Sequence, residues 1–268
     1  MAVDLDRHPI RSEDPGDRFF ASPRSRLIVE LAGHERVYAA LLQARPEDRH
    51  LWIGRGRHHA LRDRWRQAAA DYARGIEPVA SPSTDEYYEY ACVLVLVGDQ
   101  GRYRELIQTL GEQVEKSKEP RLAYELARAC IINPAMTDDP ARVIRWARLA
   151  ADSATLPWHS HVVGAAYYRA GNDDEALRWL GKSLEGSWDV GRPLNQFLLA
   201  MIHRRMGHAE RTAALLKESI RLYEEMESRR VDGAVPGVFA ADWMTIQLYR
   251  REAESLFTPS ESTPGPVR

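Results

Sequence analysis

Between Val162 and Gly186 the chain reads VVGAAYYRAGNDDEALRWLGKSLEG. Val163, Gly164 and Tyr167 fall on one helical face, Ala176, Leu180 and Leu184 on another, with the polar break Gly171-Asn172-Asp173 between them. Apolar residues at helical spacing on both sides of a Gly-containing break predict two amphipathic helices joined by a tight turn. The arrangement recurs along the chain. Helical patterns break at residues 63, 98, 134, 171 and 207, in steps of 35, 36, 37 and 36. So constant a step marks an internal repeat, and a run of helical pairs must stack to bury its apolar faces.

The residues inside each step have distinct jobs. Gly164 and Ala176 are small where two helices must approach closely, Tyr167 is aromatic, and Gly171 sits at the turn. This resembles the tetratricopeptide repeat, a unit of about 34 residues. That repeat places small residues at its eighth and twentieth positions, an aromatic at the eleventh and Gly at the fifteenth. Trp52, Gly56, Trp65, Ala68 and Tyr72 match its fourth, eighth, seventeenth, twentieth and twenty-fourth positions, with Asp63 where Gly is usual. In the pair over 87–114, Ala91 and Gly98 keep the register, and Gln100 to Arg102 are expected to lengthen the turn. The pair over 121–153 carries Leu126, Ala127 and Cys130, with Pro134 in a turn stretched through Asp139-Pro140. In the last pair Leu199, Ala200 and Gly207 keep step while His203 replaces the aromatic. LWIGRGRHHALRDRWRQAAADYARGI (51–76) and DWMTIQLYRREAESL (242–256) are similar to the tetratricopeptide-like region that follows kinase or β-propeller domains in large bacterial proteins. That resemblance implies signalling or scaffolding.

The expected fold is therefore an all-α, right-handed solenoid of helical hairpins with capping helices at both ends. Residues 1–24, with Pro9, Pro15, Gly16 and Pro23, read as a disordered or loosely docked arm that Phe19-Phe20 could pin into the groove. The repeat domain is expected over 25–257, opening with an incomplete pair (Leu27, Ile28, Leu31, then Val37, Tyr38, Leu41, Leu42) that ends at Pro46. Residues 232–237 form a Gly- and Pro-rich loop before a final helix, AADWMTIQLYRREAESLF. Asp242 is its expected N-cap, and Trp243, Ile246 and Leu256 are expected to close the exposed end of the stack. Residues 258–268 read as a disordered tail.

Composition narrows the function. A net charge of −2 gives no reason to expect nucleic acid or an anionic membrane as partner. There are four Lys against 33 Arg, but the Arg are scattered, which is the mark of compositional bias and not of a phosphate site. Cys92 and Cys130 both fall in apolar helical runs and read as buried free thiols, suiting a reducing compartment. The N-terminal stretch is charged, so no signal peptide is expected, and the longest apolar run, Ala91 to Val97, is far short of the roughly 20 residues that span a bilayer. The expected location is cytoplasmic.

No catalytic, cofactor or metal site is expected. Gly54 to His59 begins like a dinucleotide loop but ends in His, within a helical pattern and with no strand before it. His159 and His161 stand two apart, so on a helix they point about 200° from each other and cannot share one ion unaided. Asp173 to Glu175 suit a helix N-terminus, and Glu224-Glu225 a solvated face. What remains is the concave groove lined by the first helix of each pair. The family resemblance implies partner contacts at its second, fifth, ninth, twelfth and thirteenth positions. These select Ile53 and Arg57; Tyr88; Tyr124 and Arg128; His161, Tyr168 and Arg169; and Phe197, Arg204 and Arg205. Aromatic and Arg side chains together are what binding hot spots use. The Lys/Asn carboxylate clamp known in the family is absent, since Ile53, Tyr88, Tyr124, His161 and Phe197 hold the fifth position. The expected function is a non-enzymatic scaffold that holds a peptide or partner domain in the groove. The alternative is a structural or self-associating regulatory appendage with no peptide ligand.

Overall fold

A computed structural model describes residues 35–77, 84–134, 139–154, 156–231 and 233–257. The arm (1–24), the tail (258–268) and the docking of Phe19-Phe20 lie outside the described residues. Twelve helices account for almost all of what is described: α1 (Glu35–Ala44), α2 (Arg49–Ala60), α3 (Trp65–Ile76), α4 (Thr84–Val97), α5 (Gln100–Ser117), α6 (Pro120–Ile131), α7 (Pro140–Ser153), α8 (Pro157–Arg169), α9 (Asp173–Glu185), α10 (Gly191–Arg205), α11 (Ala209–Ser228) and α12 (Ala240–Phe257). The only other pairing among described residues is a Val231–Ala234 bridge.

Five hairpins follow one another: α2–α3, α4–α5, α6–α7, α8–α9 and α10–α11. The first helices of neighbouring hairpins, α4, α6, α8 and α10, pack against one another in series, and α1 covers α2. This is an all-α helical-repeat solenoid.

The constant step has a backbone cause. Asp63, Gly98, Gly171 and Gly207, four of the five break positions, have φ of 59°, 79°, 78° and 78°. The residue after each donates its N–H to the carbonyl five residues back: Arg64 to His59, Asp99 to Leu94, Asn172 to Tyr167 and His208 to His203. That bond closes a helix on a left-handed residue, which Gly adopts freely and Asp with some strain. The next helix then starts at once. Asp99 and Asn172 cap theirs by accepting from the N–H of Arg102 and Glu175. The expected lengthening at Gln100 to Arg102 does not occur, because capped by Asp99 these residues are already the first turn of α5. At the remaining break Pro134 cannot reach a positive φ. There the chain instead runs on to Asp139, which caps α7 by accepting from Arg142 N–H.

Close approach within a hairpin depends on the small positions. A Cβ on Gly164 would stand 2.8 Å from Leu180 Cγ on the paired helix, and one on Gly56 3.1 Å from the Tyr72 ring. Ala91, Ala127 and Ala200, at the equivalent positions, are fully buried. Cys92 and Cys130 are buried free thiols, which burial pushes up to about 12.

Two glycines of one hairpin separate backbone strain from packing, since a Cβ at either would meet nothing within 4 Å. Gly171→Ala forces Ala to a φ of 78° and should cost about 1–2 kcal/mol. Gly181→Ala, inside α9, should instead stabilise by about 1 kcal/mol. Urea midpoints of the two variants should move in opposite directions from the parent.

Candidate interaction groove

The inward helices present a line of polar and aromatic side chains, and α12 lies along it. α12 packs on α10 and α11, so it does close the last hairpin, but it also continues onto α4 and α2. Trp243, Met244, Ile246, Tyr249 and Ala253 have at most 1% of their surface exposed, so the helix is enclosed on several sides. Its sequence contains the reason. Apolar residues at 243, 244, 246, 248 and 249 leave no polar face in its middle, the pattern of a helix buried all round and not of an end cap.

Four residues of α12 spaced as one helical stripe meet the inward helices. Asp242 accepts from Arg128 on α6 at 3.4 Å. The Thr245 hydroxyl bonds the Tyr88 hydroxyl of α4 at 2.5 Å. Tyr249 lies against His161 of α8 with ring centroids 5.9 Å apart. Glu252 receives two bonds from the Arg169 guanidinium, whose Nε also donates to the Ile131 carbonyl at 2.7 Å. Asp242 is therefore not the helix cap. It stands in the first turn, with its carboxylate turned to Arg128.

Arg128 is the centre of the site. Its guanidinium lies 3.7 Å from the Tyr88 ring centroid and 5.3 Å from that of Tyr124. Glu125 and Asp242 are its two carboxylate neighbours, at 3.1 and 3.4 Å. Two buried acids around one buried cation leave an excess negative charge, and desolvation disfavours it. Burial accordingly pushes the Glu125 carboxyl up to about 7, against the opposing pull of Arg128, and also raises that of Asp242. His161 is held neutral, burial lowering it to about 4. Its Nδ1–H donates to Asn195 Oδ1 at 2.8 Å, and Asn195 Nδ2 donates to Ser183 Oγ at 2.9 Å. A cavity of about 10 Å³, room for roughly one water, remains between Arg128, Tyr124, His161, Trp188, Asp242 and Thr245.

The selected residues thus divide. Tyr88, Arg128, His161 and Arg169 contact α12 directly. Phe197 is fully buried. Ile53 is buried against Gly75, and Arg57 is paired with Glu89 at 2.7 Å, in contact with the next hairpin. Tyr72 donates to the same Glu89. Tyr168 is buried beneath Arg169 and Arg205, whose guanidinium groups lie 5.2 and 4.4 Å from its ring centroid. Arg205 also pairs with Asp173. Arg204 is exposed, with its guanidinium 4.8 Å from the Phe257 ring centroid. Tyr124 is half-buried beside His159, with ring centroids 4.8 Å apart. Arg204 and Arg205 are the exposed groove positions, and Tyr124 is half-buried, as are Arg57 and Arg128. Asp242, Thr245, Tyr249 and Glu252 are the residues that the repeat register could not select, because they lie outside it. Among the described residues no cluster of three His, Cys, Asp or Glu side chains could hold a metal, and no helix is long and apolar enough to cross a membrane.

No protein-family model and no curated protein sequence matches the chain. In structure it is similar to a tetratricopeptide repeat protein from Parabacteroides merdae, at 14% identity over 85% of this chain and 86% of that one, with a TM-score of 0.55. It is also similar to the Cut9-Hcn1 hetero-tetramer of the APC/C, at 16% identity over 83% of this chain and 40% of that one, with a TM-score of 0.50. At such identities the likeness defines the fold. It is a tetratricopeptide-repeat-like solenoid.

Two expectations test the groove. Arg169→Met leaves Glu252 buried without its cation and should cost about 3–5 kcal/mol. Arg169→Met with Glu252→Met should recover most of that loss in a double-mutant cycle. The second concerns protons. Because the folded Glu125 value is raised, its contribution is complete below the ordinary value of 4.5 and is lost as pH rises through about 7. Glu125→Gln should therefore be more stable than the parent by about 1–3 kcal/mol near pH 8 and about equal to it near pH 4.5. His161 titrates in both chains and cancels in the difference. Urea midpoints of both chains across that range would show it; a difference that does not change with pH would contradict the assignment.

Proposed function

We propose that the chain is a non-enzymatic protein-interaction scaffold, and that its concave face is where a protein or peptide partner is held. The observation that carries this reading is the helix already seated there. A surface of Arg and aromatic side chains that grips a helix through ion pairs, ring contacts and hydroxyl bonds has the composition of a protein interface. The Cut9-Hcn1 hetero-tetramer, a protein assembly on the same fold, supports the reading by analogy. Tyr124, Arg204 and Arg205 are the contacts we assign to a partner on the accessible rim, while Tyr88, Arg128, His161 and Arg169 hold α12. Arg57, Tyr168 and Phe197 support the surface from beneath. The same enclosure of α12 favours one other reading. If the groove is permanently full, the chain is a closed structural or self-associating piece.

Affinity recovery from a lysate of the source organism, with the full chain as bait, separates the two. The variant for comparison is Tyr124→Ala, Arg204→Ala and Arg205→Ala together, which leaves the ion pairs of α12 intact. A protein captured by the parent and lost by the folded variant is the expected result. Equal capture by both, or capture by neither, would overturn the groove assignment.

A further inference from the structure

We infer that α12 is an exchangeable occupant of the concave face, and that the partner is an amphipathic helix of matching chemistry. Such a helix would carry a carboxylate, a hydroxyl three residues on, an aromatic at seven and a second carboxylate at ten. The inference rests on the scaffold reading and specifies its partner.

Four observations carry it. The stripe Asp242, Thr245, Tyr249 and Glu252 has the spacing by which a groove reads one face of a helix. Its two carboxylates stand ten residues apart, about 15 Å along a helix axis, and meet Arg128 and Arg169. Two cations at that separation accept an acidic pair and repel a basic one. Next, α12 fits incompletely. Trp243 Nε1 and Tyr249 Oη are buried on it with no hydrogen-bond partner, and the cavity beside Arg128 lies directly under its first turns. A different helix need not carry these unpaired groups and can fill that space, which gives it an advantage over the resident one. Finally, the connection to α12 is a separate clasp. Arg230 donates to Asp63 at 2.9 Å and to the Leu61 carbonyl, tying the connection to the first hairpin. Beyond it Gly233 and Gly237 both have positive φ, and Phe239 is half exposed at 52%. The hydrogen bonds that attach the connection involve no residue of α12, while the Arg230 guanidinium also lies 4.9 Å from the Trp243 ring centroid.

The test begins with the full chain carrying a specific protease site inserted after Gly237, where nothing lies within 4 Å of an added Cβ. Cleavage makes α12 a non-covalent ligand. A fluorescent peptide of residues 240–257 is then added and its anisotropy followed. Saturable uptake by the cleaved protein is expected. The uncut chain should take it up at least ~10-fold more weakly, because its own helix competes at high effective concentration. A D242N/E252Q peptide should also bind at least ~10-fold more weakly to the cleaved protein, since each Arg loses its charged partner. Three results would overturn the proposal: no uptake by cleaved protein that keeps its helical circular dichroism, loss of that signal on cleavage, or equal binding of the two peptides. Failure here, with capture of a partner still sensitive to the rim variants, would leave the scaffold reading standing and refute only the exchange.

Discussion

Two guanidinium groups on the inward helices set the terms for the rest of the molecule. Arg128 and Arg169 are largely withdrawn from water, with 17% and 6% of their side-chain surface exposed, so that an unpaired charge there is costly. Each finds a carboxylate on one helix from the far end of the chain, and Glu125 supplies a third acid beside Arg128. The hydroxyl pair Tyr88–Thr245 and the His161–Tyr249 contact complete the line. Buried ion pairs of this kind add little net stability compared with apolar packing, but they specify register. The contacts define one alignment of α12 against the inward helices.

The two halves of the architecture are legible in the sequence to different degrees. The hairpin step is local chemistry: a left-handed turn residue, a polar residue to start the next helix, and small residues at the crossing. Gly98, Gly171 and Gly207 announce it openly, and even Asp63 is found by its place in the series. The Pro134 turn is irregular for the same reason that it is readable, since a ring-locked φ excludes the usual geometry. The sequence is less informative where one residue type can serve two roles. Asp242 is of the residue type that caps helices, yet it lies inside the first turn, and an Arg more than a hundred residues away claims its carboxylate. Periodicity within a window contains no information about that pairing. One signal is present: a helix whose middle has no polar face requires neighbours on several sides, and an end cap has them on one.

The groove residues show the same division. The repeat register assigns the selected residues to the first helices of the hairpins, because position within a stacked hairpin follows from the step alone. It could not tell which inward side chains would be free. Arg57 is taken by Glu89, a pairing between successive hairpins that depends on how two units stack, whereas Arg205 pairs with Asp173 and still keeps 40% of its side-chain surface exposed. With 33 Arg and 39 acidic residues in the chain, opposite charges meet at most junctions. An Arg at a groove position is therefore as readily a stacking contact as a recognition contact, and only the three-dimensional arrangement separates the two.

The place of α12 in the order of the chain has a consequence for synthesis. In most helical arrays each unit touches only its neighbours, so the structure can grow as the chain emerges. Here the hydroxyl bond between Tyr88 and Thr245 spans 157 residues. The hairpins are made first and their shared inner face last acquires its cover. During that interval Arg128, Arg169 and the tyrosines around them stand open to whatever helix is at hand, so a newly made chain passes through an uncovered state before α12 arrives.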